Sequence, residues 1–93
     1  MNTNKIPLVM KFYADWCSPC KTYAPIVNEV AKELNLEVQS LNVDDHPQLL
    51  KKFGIKSIPT IVVEYPDLSF DILAGSTKKE ELKQWLQKNL TNF

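Results

Sequence analysis

Cys17 and Cys20 are the only cysteines of this chain, and two residues separate them in the segment Trp16-Cys17-Ser18-Pro19-Cys20. The nucleophile of disulfide exchange is a thiolate rather than a thiol. In such a pair one cysteine attacks the disulfide of a partner, and the second resolves the mixed disulfide that forms. The residue types and their spacing therefore predict a redox-active dithiol.

Metal binding is the alternative use of this spacing. A structural zinc site takes four ligands, which are usually cysteine sulfur and histidine nitrogen atoms. The chain has no second C-x-x-C pair and His46 is its only histidine, so one chain cannot supply four such ligands. An iron–sulfur cluster bridged between two chains by Cys17 stays open as a further alternative. The residues favour redox chemistry, and we expect no metal and no cofactor.

Length and composition indicate one small globular domain over residues 1–93. The chain is 44% hydrophobic and 24% charged, which is ordinary for a globular protein. Its formal net charge is zero, so we expect neither nucleic acid nor an anionic membrane as a partner. The longest apolar stretches, Pro7–Phe12 and Ile58–Val63, are too short to span a bilayer. Met1–Lys5 lacks an apolar leader, which predicts a cytoplasmic protein.

The first half of the chain has a β-α-β pattern. Pro7–Ala14 is apolar apart from Lys11 and predicts a buried strand. From Pro19 onward apolar residues recur at helical spacing, and proline is tolerated in the first turn of a helix. Glu37–Val43 predicts a second strand. Because a helix connects the two strands, we expect them to be parallel.

The second half has an α-β-β-α pattern. Pro47–Phe53 predicts a short helix that ends at Gly54 in the left-handed conformation. Ile58–Glu64 and Ser69–Ala74 predict an antiparallel hairpin. Thr77–Glu80 matches a capping box that would open the final helix. The predicted order is β-α-β-α-β-β-α, which is an α/β fold.

Several of these segments resemble the thioredoxin family in order and spacing. The resemblance runs from about Leu8 to Leu90 and implies a thioredoxin-like fold, with a four-stranded mixed sheet flanked by helices. The chain would lack the strand and helix that usually lead into the active-site strand. The matching segments are Phe12–Lys21, Ala24-Pro25, Asn42–Asp44, Phe53–Thr60 and Gly75.

The resemblance implies catalytic roles for both cysteines. Cys17 would be the nucleophile, partly exposed at the N-terminus of a helix, where backbone N–H groups and the helix dipole stabilise an anion. Cys20, one turn further into the helix, would be more buried and would act as the resolving thiol.

The resemblance also implies a substrate-binding surface around the dithiol. Pro59 matches the cis-proline of the family, and the backbone of Ile58 would pair with an extended substrate. An apolar rim around Cys17 would suit many protein partners. Core packing stays open as an alternative for Trp16. The expected substrate-binding residues are Trp16, Ile58, Pro59, Ala74 and Gly75.

Three residues are expected to tune the thiols, namely Lys11, Ser18 and Pro19. Ser18 stands where the typical family sequence has glycine. Lys11 stands where typical thioredoxins hold a buried aspartate, and Ser40 stands at the position of that aspartate's lysine partner. Lys11 could act as a general base for Cys20, could stabilise a thiolate as a cation, or could reach solvent without a role.

The resemblance implies a thiol–disulfide oxidoreductase that reduces disulfides in other proteins. A reductase, usually a flavin enzyme that uses NADPH, would regenerate the dithiol, and we expect a monomer. A glutathione-dependent glutaredoxin is one alternative, which the short length favours and the segment Ala74–Thr77 does not match. A non-catalytic binding module is the other, since folds of this type also serve that purpose.

Overall fold

The sheet consists of the four predicted strands, in a computed structural model that describes residues 7–91. The strands are β1 (Leu8–Tyr13), β2 (Val38–Asn42), β3 (Thr60–Glu64) and β4 (Phe70–Ala74). Their order across the sheet is β2-β1-β3-β4. β2 runs parallel to β1, whereas β3 runs antiparallel to both β1 and β4. The predicted parallel pair and the predicted hairpin are therefore both confirmed.

Three α-helices connect and follow these strands. They are α1 (Ser18–Glu33), α2 (Pro47–Phe53) and α3 (Lys79–Thr91), and a short 3-10 helix precedes α2. The β-α-β-α-β-β-α order is confirmed for the described residues. The expectations about the start of the chain concern residues 1–6, which lie outside the described range. No helix of the described part is long and apolar enough to cross a membrane.

The alternating side chains of the central strands divide the core into two layers. α1 and α3 cover one face of the sheet, where Val9, Val27 and Leu82 are almost fully buried. α2 covers the other face, where Phe53 packs edge-on against Phe12. Burying an aliphatic or aromatic side chain of this size stabilises the fold by about 1.5–3 kcal/mol. The two layers pack against the two faces of β1. The predicted dithiol lies shortly after the C-terminal end of this strand.

Helix ends follow local signals at α2 but not at α3. Gly54 ends α2 with a φ of 67°, as predicted. The predicted capping box of α3 is wrong, because the helix begins at Lys79 and the Thr77 hydroxyl bonds the Tyr23 hydroxyl at 2.7 Å. The Lys78 N–H instead faces a carboxylate oxygen of Glu81 at 3.4 Å. The Thr77 hydroxyl, which the sequence pattern assigns to the N-terminal cap of α3, is thus hydrogen-bonded to a residue that is distant in the sequence.

Candidate active site

Both cysteines lie on the first turn of α1, directly after β1. Cys17 is the residue that caps the N-terminus of α1, and its N–H donates to the Ala14 carbonyl oxygen at 3.2 Å. The Cys20 N–H donates to Cys17 Sγ at 3.2 Å. Pro19 lies in the first helical turn, where its missing N–H leaves no carbonyl unpaired. The backbone therefore points a donor at Cys17 Sγ from the positive end of the helix.

The two cysteines are joined as a disulfide, with their Cα atoms 5.3 Å apart. Each residue is 5% exposed, so the expectation that Cys17 is the more exposed of the two is wrong for this oxidised form. Neighbouring segments, which the sequence pattern does not place, cover Cys17. What distinguishes the two sulfurs is the N–H donor that Cys17 Sγ receives.

The segment before β3 closes over the dithiol from the opposite side. The Ile58–Pro59 peptide bond is cis, which confirms the expectation from the family resemblance. The Ile58 carbonyl oxygen lies 3.9 Å from Cys17 Sγ. The Gly75 N–H donates to the Pro59 carbonyl oxygen at 2.8 Å, and Gly75 has a φ of 85° that favours glycine. Ala74 pairs with the first residue of β3, so these expected site residues are brought together.

Trp16 projects beside the disulfide with 69% of its surface exposed, so it is not a core residue. Its Nε1–H donates to Asp44 Oδ2 at 3.1 Å. The Asn42 side chain in turn accepts from the Asp44 N–H at 2.9 Å. Sequence reasoning placed Asp44 in the matching segment Asn42–Asp44 but favoured helix capping over a site role for it. A signal for the site role existed, because Tyr13 and Asn42 are paired at the carboxyl ends of the parallel strands β1 and β2. Residues just after two such ends meet at the same edge of the sheet.

A groove of about 440 Å³ adjoins the dithiol through Trp16 and Ile58, which both neighbour Cys17, although neither cysteine lines it. Its lining also includes Asp44, Lys56 and Ser57. The Thr60 hydroxyl donates to the Ser57 carbonyl oxygen at 2.6 Å and holds the turn before β3. The groove therefore presents an indole, a carboxylate and an ammonium close to the segment that carries the dithiol.

Lys11 lies behind the disulfide, in the middle of β1. It is 8% exposed, and burial lowers the pKa of its ammonium from the ordinary value of 10.5. Its Nζ lies 5.7 Å from the centre of the Tyr13 ring. Lys11 is paired with Ser40 on β2, so a hydroxyl residue does stand opposite it. Lys11 and Cys20 also line one cavity of about 220 Å³.

The remaining predicted site residues, Ser18 and Pro19, are exposed between the cysteines. Within residues 7–91 no three side chains of histidine, cysteine, aspartate or glutamate come together as a metal site would require. The first turn of α1 therefore offers two sulfur atoms, an N–H donor and an adjoining groove, and this arrangement can carry out thiol–disulfide exchange.

Comparison with known proteins identifies the family. The thioredoxin family model matches residues 1–88. The thioredoxin of Rickettsia bellii is 36% identical over 87 residues, which cover 91% of this chain and 83% of that protein. Thioredoxin 1 of a Nostoc species is also 36% identical, over 91% of this chain and 81% of that protein. A thioredoxin of Pyropia yezoensis is 33% identical over 95% of this chain and 84% of that protein.

These matches do not favour the glutaredoxin or the binding-module alternative. The matched region contains Cys17 and Cys20, and the structure joins them as a disulfide. Family membership also implies, in general terms, disulfide-bonded substrates and a reductase as partners. The chain belongs to the thioredoxin family and is a thiol–disulfide oxidoreductase with Cys17 and Cys20 as its redox pair.

Proposed function

We propose that this protein reduces disulfides in other proteins, with Cys17 as the attacking thiolate and Cys20 as the resolving thiol. The observation that carries this assignment is the Cys20 N–H, which lies 3.2 Å from Cys17 Sγ at the N-terminus of α1. A backbone donor and the positive end of a helix both stabilise a thiolate, and they lower the pKa of a cysteine in that position. Cys20 has no equivalent donor among the hydrogen bonds of the described residues.

The reaction proceeds in two exchanges. Cys17 thiolate attacks one sulfur of a substrate disulfide, so a Cys17–substrate bond forms and the other substrate sulfur leaves as a thiolate that takes a proton. Cys20 thiolate then attacks Cys17 Sγ, which forms the Cys17–Cys20 bond and releases the second substrate sulfur. Two electrons pass from the dithiol to the substrate, and the disulfide form of the protein is the product.

The substrate would bind across the surface formed by Trp16, Ile58, Pro59, Ala74 and Gly75. The Ile58 backbone lies beside Cys17 Sγ, which suits strand-like pairing with an extended segment around the substrate disulfide. Pro59 is buried and acts through its backbone, whereas Trp16 offers exposed apolar area along the groove. Lys11, Ser18 and Pro19 would adjust the properties of the two thiols.

We extend this proposal to the cellular setting. Residues 1–93 would fold as one domain and act as a cytoplasmic monomer. A flavin enzyme that takes electrons from NADPH would return Cys17 and Cys20 to the dithiol form. The formal net charge of zero favours protein substrates of varied charge over nucleic acid or a membrane surface.

Trapping the mixed disulfide tests the assignment. We expect Cys20→Ser to accumulate a covalent complex with a disulfide-bonded protein such as insulin, because the resolving thiol is gone. Mass spectrometry of the digested complex should locate the link at Cys17. The matched control, Cys17→Ser, should give neither a complex nor insulin reduction. A complex that forms through Cys20 in the Cys17→Ser variant would contradict the assignment.

A further inference from the structure

Lys11 is the one charged residue among the buried residues of the described chain. It lies on β1 between Val9 and Tyr13 on the sheet face that α1 covers, and β1 is an inner strand with neighbours on both sides. Only a carboxylate could form a salt bridge with Lys11, and none of the ion pairs within residues 7–91 includes this lysine. A buried cation without a partner is costly, so its position invites a functional explanation.

A cavity connects this lysine to the dithiol. Lys11 and Cys20 both line the space of about 220 Å³ behind the disulfide. One water molecule occupies about 30 Å³ of liquid, so the cavity can hold water between the amine and the sulfur. Cys17 does not line this cavity, so the cavity leads from Lys11 to Cys20 rather than to Cys17.

The other charged and titratable groups around Lys11 come from three places. Asp15, in the turn after β1, and Lys21, on α1, line the same cavity and carry opposite charges. Both residues are exposed, so solvent weakens their effect. The Tyr13 ring lies near Nζ on the same strand. The paired residues on the neighbouring strands, Ser40 on β2 and Ile61 on β3, carry no charge.

We infer that the Lys11 amine accepts the thiol proton of Cys20 when the mixed disulfide at Cys17 is resolved. This inference rests on the proposed function. The proton moves from Cys20 Sγ to the unprotonated form of the amine through water in the cavity, which leaves a Cys20 thiolate beside a Lys11 ammonium. The thiolate attacks Cys17 Sγ, the Cys17–Cys20 bond forms, and the substrate sulfur leaves and takes a proton from solvent.

Burial explains why a lysine can take this role. An ordinary ammonium with a pKa of 10.5 holds its proton too tightly to act as a base near neutral pH. Burial lowers the pKa of Lys11 because the charged form loses hydration. A base is most effective when its pKa lies near the working pH. The ammonium formed by proton transfer then stabilises the neighbouring thiolate.

The two exchanges can be measured separately with an aromatic disulfide. Reduced protein is mixed with 5,5′-dithiobis(2-nitrobenzoate), and attack by Cys17 releases the first coloured thiolate in a phase whose rate depends on reagent concentration. Attack by Cys20 releases the second in a phase whose rate does not. We expect Lys11→Met to slow the second phase about 10²-fold at neutral pH and to leave the first essentially unchanged. The pH at which the second-phase rate levels off should rise by about one unit or more.

Lys21→Met is the matched control, because it removes an exposed lysine from the same cavity. It should change the rate of either phase by less than about twofold, because solvent weakens the effect of its charge. The inference is overturned if Lys11→Met leaves the rate of the second phase unaltered or slows both phases equally. It is also overturned if Lys21→Met slows the second phase as much as Lys11→Met does. If wild-type protein lacks the first phase, the proposed function itself fails. If the first phase is present and the rate of the second phase does not depend on Lys11, only this inference fails.

A second measurement does not depend on the folding of a Lys11 variant. The carbon resonances of ¹³C-labelled lysine report the pKa of Lys11 in the reduced wild type and in Cys20→Ser. Two groups that exchange one proton influence each other reciprocally, so loss of the Cys20 thiol should change the pKa of Lys11. We expect the pKa to fall in Cys20→Ser, because no thiolate remains to stabilise the ammonium. An unchanged pKa overturns the inference.

Discussion

Replacing Lys11 with methionine should make the protein more stable at neutral pH. Lys11 is 8% exposed, and burial lowers the pKa of its ammonium below the value of 10.5 that it has in the unfolded chain. The unfolded chain therefore binds this proton more tightly than the native protein does, and the difference opposes folding. Methionine has a similar length and no charge to bury, so it removes this cost.

The size of the effect follows from two opposing contributions. Each unit by which the native pKa lies below the unfolded value costs about 1.4 kcal/mol of stability at neutral pH. The Lys11 Nζ atom lies 5.7 Å from the centre of the Tyr13 ring, and this contact offsets part of the cost of burial. Such cation–π contacts contribute about 0.5–1 kcal/mol at exposed sites. We therefore expect a net gain in the free energy of unfolding, and each gain of about 1 kcal/mol would raise Tm by about 4–8 °C.

The effect should disappear at alkaline pH. The cost of burying the ammonium is fully present below the native pKa of Lys11 and absent above 10.5, where the amine is neutral in both states. The stability of the wild type should rise with pH through this window, relative to that of Lys11→Met. The pKa of Tyr23 is raised by burial and that of Tyr65 is raised to about 12, but these groups are common to both proteins and cancel in the comparison.

Urea unfolding of the oxidised proteins, at neutral pH and above pH 10.5, measures this difference. Lys56→Met is the control, because Lys56 is exposed and its replacement should change the free energy of unfolding by less than about 0.5 kcal/mol. The reasoning is refuted if Lys11→Met is no more stable than wild type at neutral pH. It is also refuted if the difference between the two proteins is the same at both pH values.

Two further predictions concern the groove and the core. Asp44→Ala should raise KM for a protein disulfide by about two- to tenfold in steady-state reduction assays, because the Trp16 indole loses a hydrogen bond worth about 0.5–1.5 kcal/mol. The neighbouring Asp45→Ala should have no such effect, and equal effects of the two variants would contradict a positioning role for Asp44. Leu82→Ala should lower the free energy of unfolding by about 2–5 kcal/mol in urea, because this side chain is fully buried under α3. Leu8→Ala, at a site that is 46% exposed, should cost less than half as much, and a comparable cost would argue against this account of the core.

The elements of the fold were predictable where their signals are local. The helix predicted over Pro47–Phe53 has these same bounds in the structure, because proline at its start and Gly54 at its end act on the adjacent backbone. Strand β1 was predictable from its apolar run, and its parallel partner β2 from the helix that connects them. Thr77 shows the limit of such signals, since a distant Tyr23 hydroxyl competes successfully for its side chain.

The chemistry of the site was predictable from residue types, whereas its geometry was not. Cys17 and Cys20 are close in sequence, so their spacing alone indicates a dithiol. The contact between Cys17 Sγ and Ile58 joins residues 41 positions apart, and the Trp16–Asp44 hydrogen bond joins residues 28 positions apart. The equal burial of the two cysteines also depends on segments that fold over them from elsewhere in the chain.

The amino-acid sequence by itself determined the dithiol, the order of helices and strands, and the presence of a lysine within an apolar strand. Only the tertiary structure decided that Lys11 is buried and shares a cavity with Cys20 on α1. The reason is physical. Periodicity and capping depend on the nearest residues along the chain, whereas desolvation of an amine depends on every element that packs around it.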